Sequence, residues 1–94
     1  FCNFTRCAEV VSEWVRDCVK YLREQGFERM EAETAAQEAW VEHANSLTEG
    51  MIFTKTDSWF MGTNVPGKKR QFLFYAGGMP AFRQRIAEVA AQGY

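Results

Sequence analysis

Gln71 to Ala76, QFLFYA, is the one stretch of this 94-residue chain that reads as a β-strand: short, almost wholly apolar, and broken off by Gly77-Gly78. A single strand cannot make a sheet. Every other patterned stretch is helical. The expected fold is therefore α+β but mostly helical, an incomplete unit whose fully buried strand takes its partners from elsewhere. The rings point the same way. Eight Phe, three Trp and three Tyr make up 15% of the residues, more ring surface than so short a chain covers well by itself.

Three helices are expected around that strand. The first spans 5–26, with apolar residues at Cys7, Val11, Trp14, Val15, Cys18, Tyr21 and Leu22 keeping the 3.6-residue period, Thr5 as cap and Gly26 as stop. The second spans 28–49. Its first turns hold Glu28, Glu31 and Glu33, where the helix dipole favours acids, and Trp40 lies in its narrow stripe. A link of two to five residues predicts an antiparallel helix hairpin. After a long loop, 51–70, and the strand, 71–76, the third helix spans 79–93 with Pro80 in its first turn and Gly93 as its stop. Residues 1–94 thus read as one partial domain. Trp14 and Trp40 are expected as core anchors, and His43, with no second His or Cys in register, as a partly exposed structural residue.

Charge is uneven. Residues 1–54 carry 10 acids and 5 bases, a net −5, whereas 55–94 carry 2 acids and 6 bases, a net +4. An anionic partner would meet the second half. One short basic run in a chain of net charge −1 argues against nucleic acid. No apolar run is long enough to span a membrane, and no signal-peptide pattern appears. Three cysteines, Cys2, Cys7 and Cys18, are an odd number without regular spacing, which argues against a disulfide framework and suits a reducing, cytoplasmic setting. Cys7 and Cys18 read as small buried apolar residues. Cys2, Cys7 and His43 lack metal-ligand spacing, so no metal is expected.

The loop has its own chemistry. DSWFMGTNVPGKK, Asp57 to Lys69, places Trp59, Gly62, Asn64, the Pro66-Gly67 pair and then the cations Lys68, Lys69 and Arg70 in one stretch. The glycines permit positive φ, the Pro-Gly pair suits a tight turn, the indole offers a flat face with one donor, and the cations can neutralise phosphate. Together they suit a loop that closes on a phosphorylated, aromatic ligand such as a nucleotide. Plainer readings stand beside this one: a loop tryptophan packs, and a cation run is a solvated edge guarding the next strand. No GxGxxG and no P-loop pattern is present.

DSWFMGTNVPGKKRQFLFYAGG resembles the C-terminal part of the Baeyer–Villiger monooxygenases of the cyclohexanone and phenylacetone type. The matching residues are Ser58, Trp59, Gly62, Asn64, Val65, Pro66, Gly67, Lys68, Tyr75, Gly77 and Gly78. EWV at Glu13–Val15, WVEHAN at Trp40–Asn45 and EVAAQGY at Glu88–Tyr94 look like segments of the same family. The resemblance implies a piece of a larger α/β flavoprotein with two dinucleotide-binding domains, FAD and NADPH as cofactors, and insertion of one oxygen of O2 beside a ketone carbonyl to give an ester or lactone. It implies a mobile loop that folds over NADP, with Trp59, Asn64 and Lys68 on the cofactor side and Leu73 and Phe74 near the substrate pocket. The family's two glycine-rich dinucleotide motifs, its FxGxxxHxxxWP fingerprint and an assignable catalytic arginine are absent. No catalytic residue is therefore expected in this chain, which begins at Phe1 and reads as a fragment. It is expected to bind no cofactor alone and to act with the rest of a flavin monooxygenase. A non-catalytic, self-associating helical module, dimeric or domain-swapped, is the alternative.

Overall fold

A computed structural model describes residues 3–94. The described residues form two compact units. One runs to Glu31 and resumes at Gly78–Tyr94, and the other is Ala32–Gly77.

The first unit is built on two helices, α1 (Phe4–Gln25) and α3 (Met79–Ala91), which pack on each other. The cap of α1 is Asn3 rather than Thr5: its Oδ1 accepts the Thr5 N–H at 3.1 Å, and its carbonyl accepts the Cys7 N–H. Gly26 ends α1 in the left-handed conformation, φ 70°. The Gly26 and Phe27 N–H groups then close on the Arg23 and Leu22 carbonyls at 3.2 and 2.9 Å. This paired termination satisfies carbonyls the helix leaves open. Pro80 occupies the first turn of α3. At the far end, the Gly93 and Tyr94 N–H groups bond the Ala90 and Val89 carbonyls in the same paired fashion. Gly93 is required there twice over, by φ 95° and because a Cβ would lie 2.9 Å from the Tyr21 hydroxyl.

Trp14 anchors this unit. Its Nε1–H donates to the Ile86 carbonyl at 2.8 Å, and its ring meets Tyr94 edge-on at 5.1 Å. Tyr21 closes the cluster, 5.4 Å from Tyr94. The helix pair of this unit is α1 with α3. The second helix starts at Thr34, later than the expected 28. Residues 27–33 are not helical, because Glu28, Glu31 and Glu33 precede the second helix instead of filling its first turn.

The second unit begins with that helix, α2 (Thr34–Ser46). Two short 3-10 turns follow, Ile52–Lys55 and Trp59–Met61. The core is Ala44, Met61 and Phe72, each about 95% buried, with Thr48. Thr48 donates its hydroxyl to the Asn45 carbonyl at 2.6 Å and so buries no unpaired donor. Phe72 joins the core to a cluster with the rings of Phe53, Phe60 and Phe74, whose contacting centroids are 5.0–6.1 Å apart. Trp40 stacks on Tyr75 at 5.4 Å, nearly parallel, and His43 Nε2 lies 3.3 Å from the Tyr75 hydroxyl.

No strand is present among the described residues, which corrects the expectation for 71–76. The segment uses its backbone as an extended chain would, with donors alternating in direction. The Gln71 and Leu73 N–H groups donate to the Met61 and Phe60 carbonyls, and the Phe72 N–H between them donates to Asn45 Oδ1 at 2.8 Å. A ladder needs a second strand, and here the partners are a 3-10 turn and a side-chain amide. Nor is the segment fully buried, since Leu73 is 44% exposed.

The cysteines also depart from expectation. Cys18 is free and half-buried, but Cys7 is disulfide-bonded. An odd count excludes only a framework in which every cysteine is paired, so the inference of a reducing compartment loses its footing. Cys2 lies outside the described residues.

Candidate functional site

The loop that drew attention in the sequence lies wholly in the second unit. Ser58 precedes the 3-10 turn Trp59–Met61, and Gly62 closes that turn with φ 67° and its N–H on the Trp59 carbonyl at 3.0 Å. Gly62 is buried, and a Cβ there would come within 3.9–4.0 Å of the Leu73 methyls and the Gln71 carbonyl. Space is ordinary at that point; the positive φ is what calls for glycine. The chain turns again at Val65–Lys68, where the Lys68 N–H reaches the Val65 carbonyl at 3.3 Å across Pro66 and Gly67, the latter at φ 77°. Pro followed by a residue of positive φ is the type II arrangement.

These turns present the expected cofactor-side residues differently. Trp59 is 55% exposed. Its ring stacks on Phe60 at 4.4 Å, and its contact with Phe74 is edge-on at 5.2 Å. A firm aromatic base therefore holds the indole while much of it stays open. Asn64 and Lys68 are exposed, and among the described residues their side chains form no hydrogen bond or ion pair. Of the expected substrate-side residues, Phe74 is half-buried against Trp59 and Phe60, and Leu73 lies over Gly62. Trp59 and Phe74 are thus brought into contact, while Asn64 and Lys68 stand on the neighbouring turn.

Three features were not apparent in the sequence. Arg70, read as one of three cations open to phosphate, is bound up internally: Nη1 lies 2.6 Å from Asp57 Oδ1, and Nη2 lies 3.4, 3.0 and 2.6 Å from the carbonyls of Phe53, Thr54 and Thr56. The opposite charges at the two ends of the loop were the signal that would have revealed it. Ser58 Oγ is buried without a hydrogen-bond partner, at a cost of about 1–3 kcal/mol. Lys69 lines an open cleft of about 770 Å³ against α2 that also carries Glu38, Glu42 and Glu49. Three carboxylates against one cation make that cleft a poor seat for a pyrophosphate.

An open indole face, an exposed amide and an exposed ammonium lie within one short segment, groups of the kind a dinucleotide would need. Ser58 Oγ, being buried, is not one of them, and the charge of Arg70 is already matched.

No family model matches the chain. Among curated proteins, the chain is 41% identical over 93 residues to the acetone monooxygenase (methyl acetate-forming) of Gordonia sp. strain TY-5, a match that takes in 99% of this chain and 17% of the relative. It is 33% identical over 94 residues to a Baeyer–Villiger monooxygenase of Pseudooceanicola batsensis, again 17% of that protein. A protein of Byssochlamys spectabilis named as an FAD-binding monooxygenase is 31% identical over 94 residues, 16% of its length. Among solved structures, cyclohexanone monooxygenase from Rhodococcus sp. Phi1 bound to NADP+ superposes with a TM-score of 0.74 at 36% identity, over 92% of this chain and 16% of that one. The chain therefore spans about one sixth of the length of the relatives it matches.

Proposed function

The chain belongs to the Baeyer–Villiger monooxygenases, of which it represents one segment, and from that premise we propose that its Asp57–Arg70 loop closes over NADP in an FAD- and NADPH-dependent enzyme that turns a ketone into an ester or lactone. FAD and NADPH supply the redox and oxygen chemistry in such an enzyme. This chain's residues bind, orient and exclude water. Trp59 lays its open face against the dinucleotide, Lys68 offers a charge to phosphate, and Asn64 offers an amide that can both donate and accept. Leu73 and Phe74, continuous with Trp59, form part of the wall facing the ketone. The remainder of the enzyme is the segment's partner and holds the flavin.

The observation that carries this reading is Trp59: more than half exposed, yet held by Phe60 and Phe74. The test is a chimera in which this chain replaces the matching segment of the Gordonia acetone monooxygenase. Trp59→Ala is expected to raise KM for NADPH about tenfold and to lower turnover while the melting temperature moves little. Unchanged NADPH kinetics would remove the basis of the reading.

A second reading is favoured by α1. Phe4, Val11, Val15 and Val19 are 77%, 42%, 47% and 40% exposed, and the three valines recur every fourth residue along one helix face. In this reading the chain self-associates through that face without catalysis. Sedimentation equilibrium decides it: a dimer that Val15→Glu dissociates supports it, and a monomer at high micromolar concentration excludes it.

A further inference from the structure

Arg70 ends the basic run, yet its guanidinium faces inward. One nitrogen sits on Asp57 Oδ1 at 2.6 Å, and the other lies within bonding distance of three carbonyls, those of Phe53, Thr54 and Thr56. Those carbonyls belong to the end of a 3-10 turn and the residue after it, where a helix leaves acceptors open, although the Phe53 carbonyl also accepts the Thr56 N–H at 3.4 Å. Asp57 and Arg70 are 13 residues apart, and between them lie Trp59, Asn64 and Lys68. The pair therefore closes the base of the whole candidate segment.

We propose that Arg70 is a positioning residue: it clamps the base of the Asp57–Arg70 segment to the Phe53–Thr56 turn, so that Trp59 and the Val65–Lys68 turn meet the dinucleotide as one preset unit. This rests on the reading that the segment closes over NADP. As a stability device an ion pair this exposed contributes little. As a geometric device it matters more, because a misplaced binding group costs rate out of proportion to the stability lost. Four acceptors spread around one planar head group suit arginine and not lysine, whose single ammonium cannot span them. The clamp also removes Arg70 from phosphate contact and leaves that role to Lys68.

The chimera with the acetone monooxygenase tests this through Arg70→Ala, Arg70→Lys and Asp57→Asn, with Trp59→Ala as the control on the closing segment itself. Both Arg70 variants are expected to raise KM about tenfold, for NADPH and NADH alike, with the melting temperature nearly unchanged. Asp57→Asn is expected to act in the same direction but less, because the three carbonyls remain. Arg70→Lys behaving as wild type, or a loss confined to NADPH, would make Arg70 a phosphate ligand and overturn the clamp. A lower melting temperature with unchanged KM would make it merely structural. If Trp59→Ala raises KM and the Arg70 variants do not, only this inference fails; if Trp59→Ala is silent as well, the closing segment falls with it. Amide exchange on the 94-residue chain gives an independent reading. Arg70→Ala and Arg70→Lys should speed exchange across residues 57–68 about fivefold and leave 4–25 unchanged, and equal exchange across 57–68 contradicts the clamp.

Discussion

Trp14 and Trp59 are the same residue put to opposite uses. Trp14, in the first unit, has its one donor bonded to the Ile86 carbonyl and its ring against Tyr94. Trp59, in the second, is braced by Phe60 and Phe74 and otherwise open. The helical unit ties its tryptophan into its own packing, whereas the loop unit holds Trp59 out. Exposure alone does not separate a functional ring from a packing ring. Trp59 is set apart by standing on the turn that precedes the exposed Asn64 and Lys68.

That contrast sets the expected order of effects. The largest is Trp14→Ala, at about 3 kcal/mol, since the substitution empties the centre of the α1–α3 contact and removes the indole hydrogen bond to the Ile86 carbonyl. Urea unfolding followed by circular dichroism measures it; a loss below about 1 kcal/mol would place Trp14 with Trp59. Next comes Gly77→Ala, at about 1–3 kcal/mol, because a Cβ at Gly77 would lie 2.7 Å from the Tyr75 ring. That ring contacts both Trp40 and His43, so the strain should also appear as a shift of the Trp40 indole signal by NMR. An unmoved signal with unchanged stability would show that Tyr75 yields freely. Gly67→Ala is expected to cost about 1 kcal/mol through its positive φ alone, there being nothing within 4 Å for the methyl to strike. The smallest is Trp59→Ala, about 1 kcal/mol or less, read in the same urea titration. A cost near that of Trp14→Ala would erase the distinction between the two tryptophans.

Much of the first unit was legible in the sequence. The stripe from Cys7 to Leu22, the stop at Gly26 and the placement of Pro80 are local signals, and local physics decides helix ends. What depends on distant partners was not. QFLFYA has the composition of a buried strand, but composition does not say whether the facing backbone is another strand or, as here, a 3-10 turn and Asn45. The three-glutamate stretch before Thr34 looks like a favourable first turn, yet acids also sit well just outside a helix N-terminus, so the start of α2 was misplaced. Lys68, Lys69 and Arg70 look alike as a run. Only the fold distinguishes an open ammonium, a lysine on an acidic cleft and an arginine turned onto Asp57 and three carbonyls. The turn chemistry of Gly62, Pro66 and Gly67 could be read residue by residue, and the link to a dinucleotide came from the family pattern those residues match.

The most direct measurement compares amide exchange in the flavin-loaded chimera with and without NADP+. Exchange across residues 57–70 is expected to slow at least tenfold when NADP+ is added, while 4–25, in the helical unit, stays as it was. Exchange across 57–70 that is the same in both conditions, in an enzyme that still binds NADP+, would contradict a segment that closes over the coenzyme.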